Sequence, residues 1–335
     1  MRAAVLIITW NAQSYIKSCL ESLLQQSSPP GLIQIVDNAS TDATVLEVES
    51  YRDALWARGC QLVVEQNRCN LGFTQAANQG LRIIIAYSLS YDIAFILNQD
   101  TILDTDCLQA IQEAFCRHRD AGAVGCKIFY PNRSEIQHAG GFLERPRMVG
   151  KHYGHHQPDA PIYDAEREVD FVTGAAMALR LQALKQVGFF NELFSPGYYE
   201  DVDLCVRLKA AGWRVLYNPR ATLSHVESAS FTNWHERLTL SQRNRLLFAA
   251  QYMSDPKFRS DFEEAELDFL YHETNPHTLR ALSLAYGRAM ITVGLLPTRL
   301  FSLTSKDRED ILELTAKIRQ AGLKRLHECI DADIG

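Results

Sequence analysis

Short apolar runs alternate with stretches of helical length through the first third of the chain. Ala3-Ala4-Val5-Leu6-Ile7-Ile8 is apolar without a break, the pattern of a strand buried on both faces. A helical stretch from Ser14 to Gln26 follows and stops before Pro29-Pro30-Gly31. Leu32 to Val36 reads as the second strand. Asp37-Asn38-Ala39-Ser40-Thr41-Asp42 is then a turn into a helix that runs to Arg58 and stops at Gly59. Leu62-Val63-Val64 is the third strand and Thr74 to Ser88 the next helix. Ile93 to Leu97 is the fourth strand, followed by a helix from Asp104 to His118. Strands and helices that alternate over connections this short predict an α/β fold with a mainly parallel sheet.

The rhythm changes after Gly122. Val124 to Phe129 reads as a strand. Pro131 to Glu168, rich in Gly, Pro, His and charge, reads as a long loop or weak hairpin, a length that usually signals function. Val169 to Leu179 is β-like with Gly174 inside it. Ala183 to Val187 and Asp201 to Ala211 are short helices, the second closed by Gly212. Arg214 to Tyr217 and Ala221 to Val226 are short strands. From Asn233 onward the pattern is helical. The expected organisation is a catalytic α/β domain over residues 1–230 and a helical extension over 231–335.

Composition narrows the classes. The 335 residues are 47 % hydrophobic and 22 % charged, as in ordinary globular proteins. The net charge of −6 disfavours a protein that grips nucleic acid by its phosphates, so no nucleic-acid partner is expected. The eight cysteines form no C-x-x-C, and Cys116 and Cys126 sit in apolar runs as small core residues would. A reducing, cytoplasmic setting is the reading. The first ten residues lack the regions of a signal peptide. Ala281 to Phe301 is apolar but broken by Arg288 and Pro297. With Lys317, Arg319, Lys324 and Arg325 after it, this stretch suggests a peripheral contact with the inner face of a membrane, a core helix being the equal alternative.

In open α/β sheets ligands bind beyond the carboxyl ends of the strands. The first four strands end in Thr9-Trp10-Asn11, Asp37-Asn38, Asn67 to Phe73, and Asn98-Gln99-Asp100. Asn and Asp are common in any turn, but four such ends in succession indicate a shared polar rim. No Gly-rich dinucleotide fingerprint or phosphate loop follows any strand, which argues against nicotinamide and P-loop enzymes. His272-Glu273 with His277 is not a zinc motif, since Pro276 interrupts the helix. His152, His155 and His156 read as a solvated loop rather than a metal site. The densest cluster is Ser195 to Cys205, where Glu200, Asp201 and Asp203 fall at a helix start. The helix dipole accounts for one or two acids there, at ~0.3–1 kcal/mol each, and not for the Pro-Gly turn and two tyrosines before them.

Taken together these segments resemble glycosyltransferase family 2, and within it the rhamnosyltransferase-like branch. The resemblance rests on Val5 to Asn11, Val36 to Asp42, Asn70 to Phe73 through Asn78-Gln79-Gly80, and Leu97 to Asp100 at the family's D-x-D position. It continues through Val169 to Ala176, Gly188 to Glu192 with Tyr199 to Leu204, and Pro219 with His225. It spans about residues 3 to 250. Asn98 stands where the first acid of D-x-D would be, Trp10 replaces a Tyr, and Asn191 replaces an Asp.

The resemblance implies a GT-A (Rossmann-like) fold and an inverting transfer of a sugar, L-rhamnose by the branch, from a nucleotide-diphosphate sugar. The acceptor would be a saccharide or lipid-linked molecule in cell-surface polysaccharide synthesis. Asp201 would be the general base, with Glu200 as the alternative. Thr9, Asn11, Asp37, Asn38, Asn70, Gly72, Phe73, Asn78, Asn98 and Asp100 would bind the donor, and Thr173, Gly174 and Glu200 the acceptor. Asp100 and His225 would hold a divalent cation, Mn²⁺ or Mg²⁺, with Arg243 or Arg245 as cationic substitutes. A dTDP- or UDP-sugar is the expected donor, with the Asn38 amide matching a pyrimidine imide edge. A homo-oligomer is compatible with the sequence. A sugar nucleotidyltransferase and a catalytically inactive sugar-binding homologue are the alternatives. The first lacks its expected Gly-rich phosphate loop after strand one, and the second sits poorly with both Asp100 and Asp201 in place.

Overall fold

The computed structural model describes residues 1–87, 90–226, 233–295 and 304–334. Its chain divides into two compact units, Met1–Phe142 with Lys151–Ser230, and Leu143–Gly150 with Phe231–Gly335.

In the first unit the elements run β1 (Ala3–Thr9), α1 (Ile16–Leu24), β2 (Leu32–Asp37), α2 (Thr44–Ser50), α3 (Arg52–Ala57), β3 (Gln61–Gln66), α4 (Gly72–Ala86), β4 (Ile93–Asn98), β5 (Thr101–Leu103), α5 (Cys107–Arg117) and β6 (Ala121–Phe129). There follow β7 (Ile136–His138), β10 (Arg167–Glu168), β11 (Ala176–Arg180), α6 (Leu181–Val187), α7 (Glu200–Ala210) and β12 (Arg214–His225), while the hairpin strands β8 (Gly141–Glu144) and β9 (Val149–His152) begin and end in this unit, with Leu143–Gly150 between them in the second.

One sheet dominates, in the order β10-β12-β6-β11-β4-β1-β2-β3, with β5 paired to β12 and β7 to β6. β4, β1, β2 and β3 are mutually parallel. β11 runs antiparallel between β4 and β6, and β12 is parallel to β6. The expected mixed, mainly parallel sheet is therefore present. Its directions have a consequence for chemistry. The carboxyl ends of β1, β2, β4 and β12 and the amino end of β11 all fall on one rim.

The buried runs come from the sequence pattern. Val5, Ile7, Ile33, Ile35, Phe95 and Leu97 project from the sheet onto Ile16, Leu20, Leu108 and Ile111 of the helices, all almost fully buried. On the opposite face α4 packs tightly because Gly80 has no side chain. A Cβ there would lie 2.2 Å from Leu6 Cδ1.

Several boundaries differ from expectation. The helix expected to run to Arg58 breaks at Tyr51, where the amide bonds Val48 three residues back, and then restarts. α4 begins earlier, at Gly72, because the Asn70 side chain accepts from the Gly72 amide at 2.8 Å. The expected helix end at Ser88 lies outside the described residues. The two short strands after Gly212 are one strand, β12, with its register shifted between Asn218 and Thr222. The Val169 stretch becomes a ladder strand only at Ala176.

Residues 131–168 are not one loop. They hold β7 to β10, and buried Lys127 pins the segment by donating to Asp159 at 2.9 Å and Asp164 at 2.5 Å. Within it His152 is not a solvated loop residue. Its Nδ1 lies 2.8 Å from Nδ1 of buried His138, and burial pushes its pKa down to about 4. Cys126 is buried as expected, but Cys116 is exposed because it sits on the outer face of α5.

The second unit contains α8 (Trp234–Ala250), α9 (Pro256–His272), α10 (Pro276–Leu295) and α11 (Ser305–Ile334). Its apolar core encloses a buried ion-pair network. Glu266 on α9 is fully buried against Arg245 of α8 at 2.5 Å and Arg147 at 2.8 Å, and the Tyr286 hydroxyl donates to it. Arg245 is thus committed to an internal ion pair and does not serve as a substitute cation for a leaving group. Among the described residues no helix is long and apolar enough to cross a membrane.

Candidate active site

The rim is braced before it is reactive. Thr9 donates to Asp37 Oδ1 at 2.9 Å, and the Ser40 amide and hydroxyl occupy the same carboxylate at 2.9 and 2.5 Å. Asn11 accepts from the Thr41 amide at 2.8 Å. The Asn38 amide is spent at both ends. Its nitrogen donates to the Gly72 carbonyl at 3.2 Å and its oxygen accepts from Asn67 at 3.0 Å. The expected two-point match of Asn38 to a pyrimidine edge is replaced by a tie between two loops. Asn78 is likewise turned inward, bonding the backbone of Phe190 in both directions at 2.9 and 3.0 Å. These side chains are buried polar groups satisfied by one another, and their bonds fix the loops along the rim.

Gly72 shows how closely the loops meet. Its φ is +78°, and a Cβ would stand 2.5 Å from Pro196 Cβ. The Thr74 amide donates to the Pro196 carbonyl at 3.2 Å, so the start of α4 is seated on the turn before α7. Phe73 lies beside Gly174, where an added Cβ would meet its ring at 3.4 Å, and pairs with Phe190 at 6.1 Å between centroids.

Gln99 was not singled out by the sequence reading. Its side chain accepts from the Trp10 amide at 2.7 Å and donates to the Trp10 carbonyl at 3.3 Å, joining the ends of β1 and β4. The residues flanking it face His225. Asp100 Oδ1 lies 3.1 Å from His225 Nε2, and Asn98 Nδ2 lies 3.1 Å from the same nitrogen. On the far side of the ring, His225 Nδ1 is 2.7 Å from Gln137 Oε1. With Nδ1–H donating to Gln137, the single Nε2 lone pair is left on the side of Asp100 and Asn98. An imidazole nitrogen and a carboxylate oxygen held this close form the kind of N,O set that a divalent cation would bind, taking the Nε2 lone pair in place of Asn98. Asp100 and His225 therefore fit a cation site completed by ligand oxygens. No cluster of three or more His, Cys, Asp or Glu residues suited to a metal occurs among the described residues.

The acidic cluster opens α7. Tyr198 and Tyr199 both have positive φ, at 74° and 71°, an uncommon backbone for bulky residues and one found where function holds strain. Asp201 is half-buried. Its Oδ2 accepts from the Gly174 amide at 2.9 Å and its Oδ1 from the Val202 amide at 2.8 Å. Burial pushes its carboxyl above the ordinary value, against the pull of those amides. Glu200 is buried, and its Oε2 has no hydrogen-bond partner. Burial first, and then the charges of Asp201 and Asp203, push its carboxyl well above the usual range. Asp203 pairs with Arg207 at 2.7 Å, and Arg207 donates to the carbonyls of Val187 and Phe189, tying α7 to the turn after α6. Thr173 and Gly174 lie in the segment entering β11. There the Ala175 carbonyl accepts from the Asn98 amide at 2.9 Å. Gly174-Ala175 thus connects Asp201 to the Asn98–Asp100 turn.

Comparison with known proteins agrees with this architecture. Residues 2–249 match the family described as glycosyltransferase like family 2. The N-acetylglucosaminyl-diphospho-decaprenol L-rhamnosyltransferase of Mycobacterium tuberculosis is 27 % identical over 245 residues, 68 % of this chain and 76 % of that protein. An uncharacterized protein of Sinorhizobium fredii is 26 % identical over 78 % of this chain, which spans only 28 % of that protein's length. Among solved structures, TarS 1-349 of S. aureus with UDP-GlcNAc superposes with a TM-score of 0.55 at 16 % identity, over 97 % of this chain and 92 % of that one. The mannosyltransferase PcManGT of Pyrobaculum calidifontis, with GDP-Man and Mn²⁺, gives 0.52 at 18 % identity, over 97 % and 87 %. The fold is that of the GT-A transferases, and by the match over most of its length the chain belongs to glycosyltransferase family 2.

Proposed function

We propose that this protein transfers a sugar from a nucleoside-diphosphate sugar to an acceptor hydroxyl with inversion, using Asp201 as general base and a divalent cation held by Asp100 and His225. The observation that carries this reading is the convergence on one rim of a two-donor cation set and a separately positioned carboxylate. The names of the relatives support a choice of substrate class. One is named an L-rhamnosyltransferase acting on a diphospho-decaprenol saccharide, and one neighbour holds UDP-GlcNAc. dTDP-rhamnose is the first donor to try, with UDP-sugars next and a lipid-linked saccharide as acceptor.

The cation, when bound, neutralises the charge that builds on the departing diphosphate. The rest falls to the chain. The acceptor oxygen attacks the anomeric carbon, and its proton passes to Asp201 as the new C–O bond forms. The bond from that carbon to the diphosphate oxygen breaks, and its electron pair leaves with the phosphate. Attack from the face opposite the leaving group inverts the centre. Asp201 suits the task better than Glu200. Its two amide bonds fix its orientation and favour the charged form, whereas Glu200 is more deeply buried, its Oε2 meets no donor, and burial pushes its carboxyl well above the usual range.

The test is a panel of nucleotide sugars with a lipid-linked saccharide, followed by mass spectrometry of the product. Chelator should abolish transfer, and Mn²⁺ or Mg²⁺ should restore it. Full transfer in excess chelator removes the cation from the reading, and a nucleotide triphosphate consumed to make a nucleotide sugar would replace transfer by nucleotidylation.

An acidic lipid surface suits α10. That helix carries Arg280 and Arg288 and no acid, and it exposes Leu284, Ile291 and Leu295 around Arg288 on one face. Burying that face against a second copy would desolvate Arg288 with no acid on the same face to pair with it. Co-flotation with anionic vesicles is expected, and a protein left wholly in the soluble fraction removes this contact.

A further inference from the structure

Gln137 was passed over in the sequence because nothing distinguishes it within a His- and Gly-rich stretch. In the fold it occupies the centre of β7, at the point where the β7–β6 register is irregular between Ile128 and Phe129. β6 lies between β7 and β12, and the Gln137 side chain meets His225 at the carboxyl end of β12. The contact is short, 2.7 Å, and closed to solvent, with Gln137 6 % and His225 5 % exposed.

An imidazole can present a lone pair from one nitrogen only while its other nitrogen carries the proton, and the acceptor opposite that proton chooses which. We propose that Gln137 is the positioning residue of the cation site: by accepting from His225 Nδ1 it keeps the Nε2 lone pair aimed at the space beside Asp100. The inference deepens the cation role assigned above and rests on it. Geometry alone carries it. Gln137 Oε1 lies 2.7 Å from Nδ1, while Asn98 and Asp100 both lie 3.1 Å from Nε2. The opposite tautomer would leave Nδ1 without a proton against the carbonyl oxygen of Gln137, and its Nε2–H, pointed at Asp100, would close that nitrogen to a cation.

The experiment uses the full-length protein and two variants. Gln137→Met keeps length and removes the acceptor, and Gln137→Glu keeps an acceptor. The first readout is the ¹⁵N imidazole shifts of His225 with Mg²⁺ and UDP present, assigned by their loss in His225→Asn. Wild type and Gln137→Glu are expected to show the Nδ1–H form, and Gln137→Met a mixture of tautomers. The second readout is Mn²⁺ affinity by electron paramagnetic resonance with UDP present. The expected loss in Gln137→Met is about 10–100-fold, the usual cost of removing a partner behind a metal-bound histidine, with Gln137→Glu at or above wild type. Thermal melting reports whether Gln137→Met has folded, and the Gln137→Glu result stands independently of it. Unchanged tautomer and unchanged Mn²⁺ affinity in folded Gln137→Met overturn the proposal, as does a Gln137→Glu protein that behaves like a loss of the acceptor. Wild type that binds no Mn²⁺ with UDP overturns the cation reading itself, and the proposal with it.

Discussion

The Gly174 amide donates to Asp201 Oδ2 at 2.9 Å across 27 residues of sequence. This bond joins the segment that enters β11 to the first turn of α7 and holds the half-buried Asp201 carboxylate with one oxygen on each of two amides. It gives Asp201 a fixed direction while its surroundings raise its proton affinity, the combination a general base needs near neutral pH.

The acid limb of the rate profile should report this group. Because burial raises the Asp201 pKa above 3.8, the active ionised form is lost as pH falls through that raised value. kcat/KM measured against pH should therefore decline on the acid side at a pH above the ordinary aspartate value. A rate that stays flat down to pH 4 would separate Asp201 from the proton transfer.

Glu200 sets the opposite sign for stability. Its folded-state pKa lies well above 4.5, so the protonated fold is favoured below the unfolded value, and that contribution is lost as pH rises through the folded one. Glu200→Gln should raise the melting temperature at pH 8, and the gain should shrink toward zero near pH 4. A gain independent of pH, or a loss at pH 8, would show that the carboxyl is not held neutral.

Much of this was legible in the chain. The apolar runs at Ala3, Leu32 and Ile93 became β1, β2 and β4, and the polar residues after them reached one rim because parallel strands must. What those residues do there was harder to read. An Asn has the same letter whatever it bonds, and the sequence did not show that Asn38 ties the Gly72 and Asn67 loops or that Asn78, inside α4, bonds the Phe190 backbone. Gln99 and Gln137 were missed for the same reason, since a glutamine acquires meaning only from its partner across the sheet. His138 and His152 show a different limit. Their contact depends on the β7–β9 strands, and a Gly- and Pro-rich composition does not announce them.

The helical unit should fail under acid by a route of its own. Although burial opposes it, Arg245 and Arg147 hold the Glu266 carboxyl below 4.5. That contribution is present above the unfolded pKa and disappears as pH falls through the folded one. Removing the carboxylate leaves two cations without their buried partner. Glu266→Ala should cost about 3–5 kcal/mol, read from urea unfolding at pH 7. A loss below ~1 kcal/mol, the level of a surface pair, would show that the network is not what holds these helices.

The central claim is that Asp201 takes the acceptor's proton. Its most direct measurement is single-turnover transfer by Asp201→Asn, with donor binding measured in parallel by calorimetry. The change keeps the size of the side chain and removes only its basicity. Transfer should fall by about 10²–10⁴ while nucleotide-sugar affinity stays within about threefold of wild type. Near-normal transfer by this variant would contradict the account.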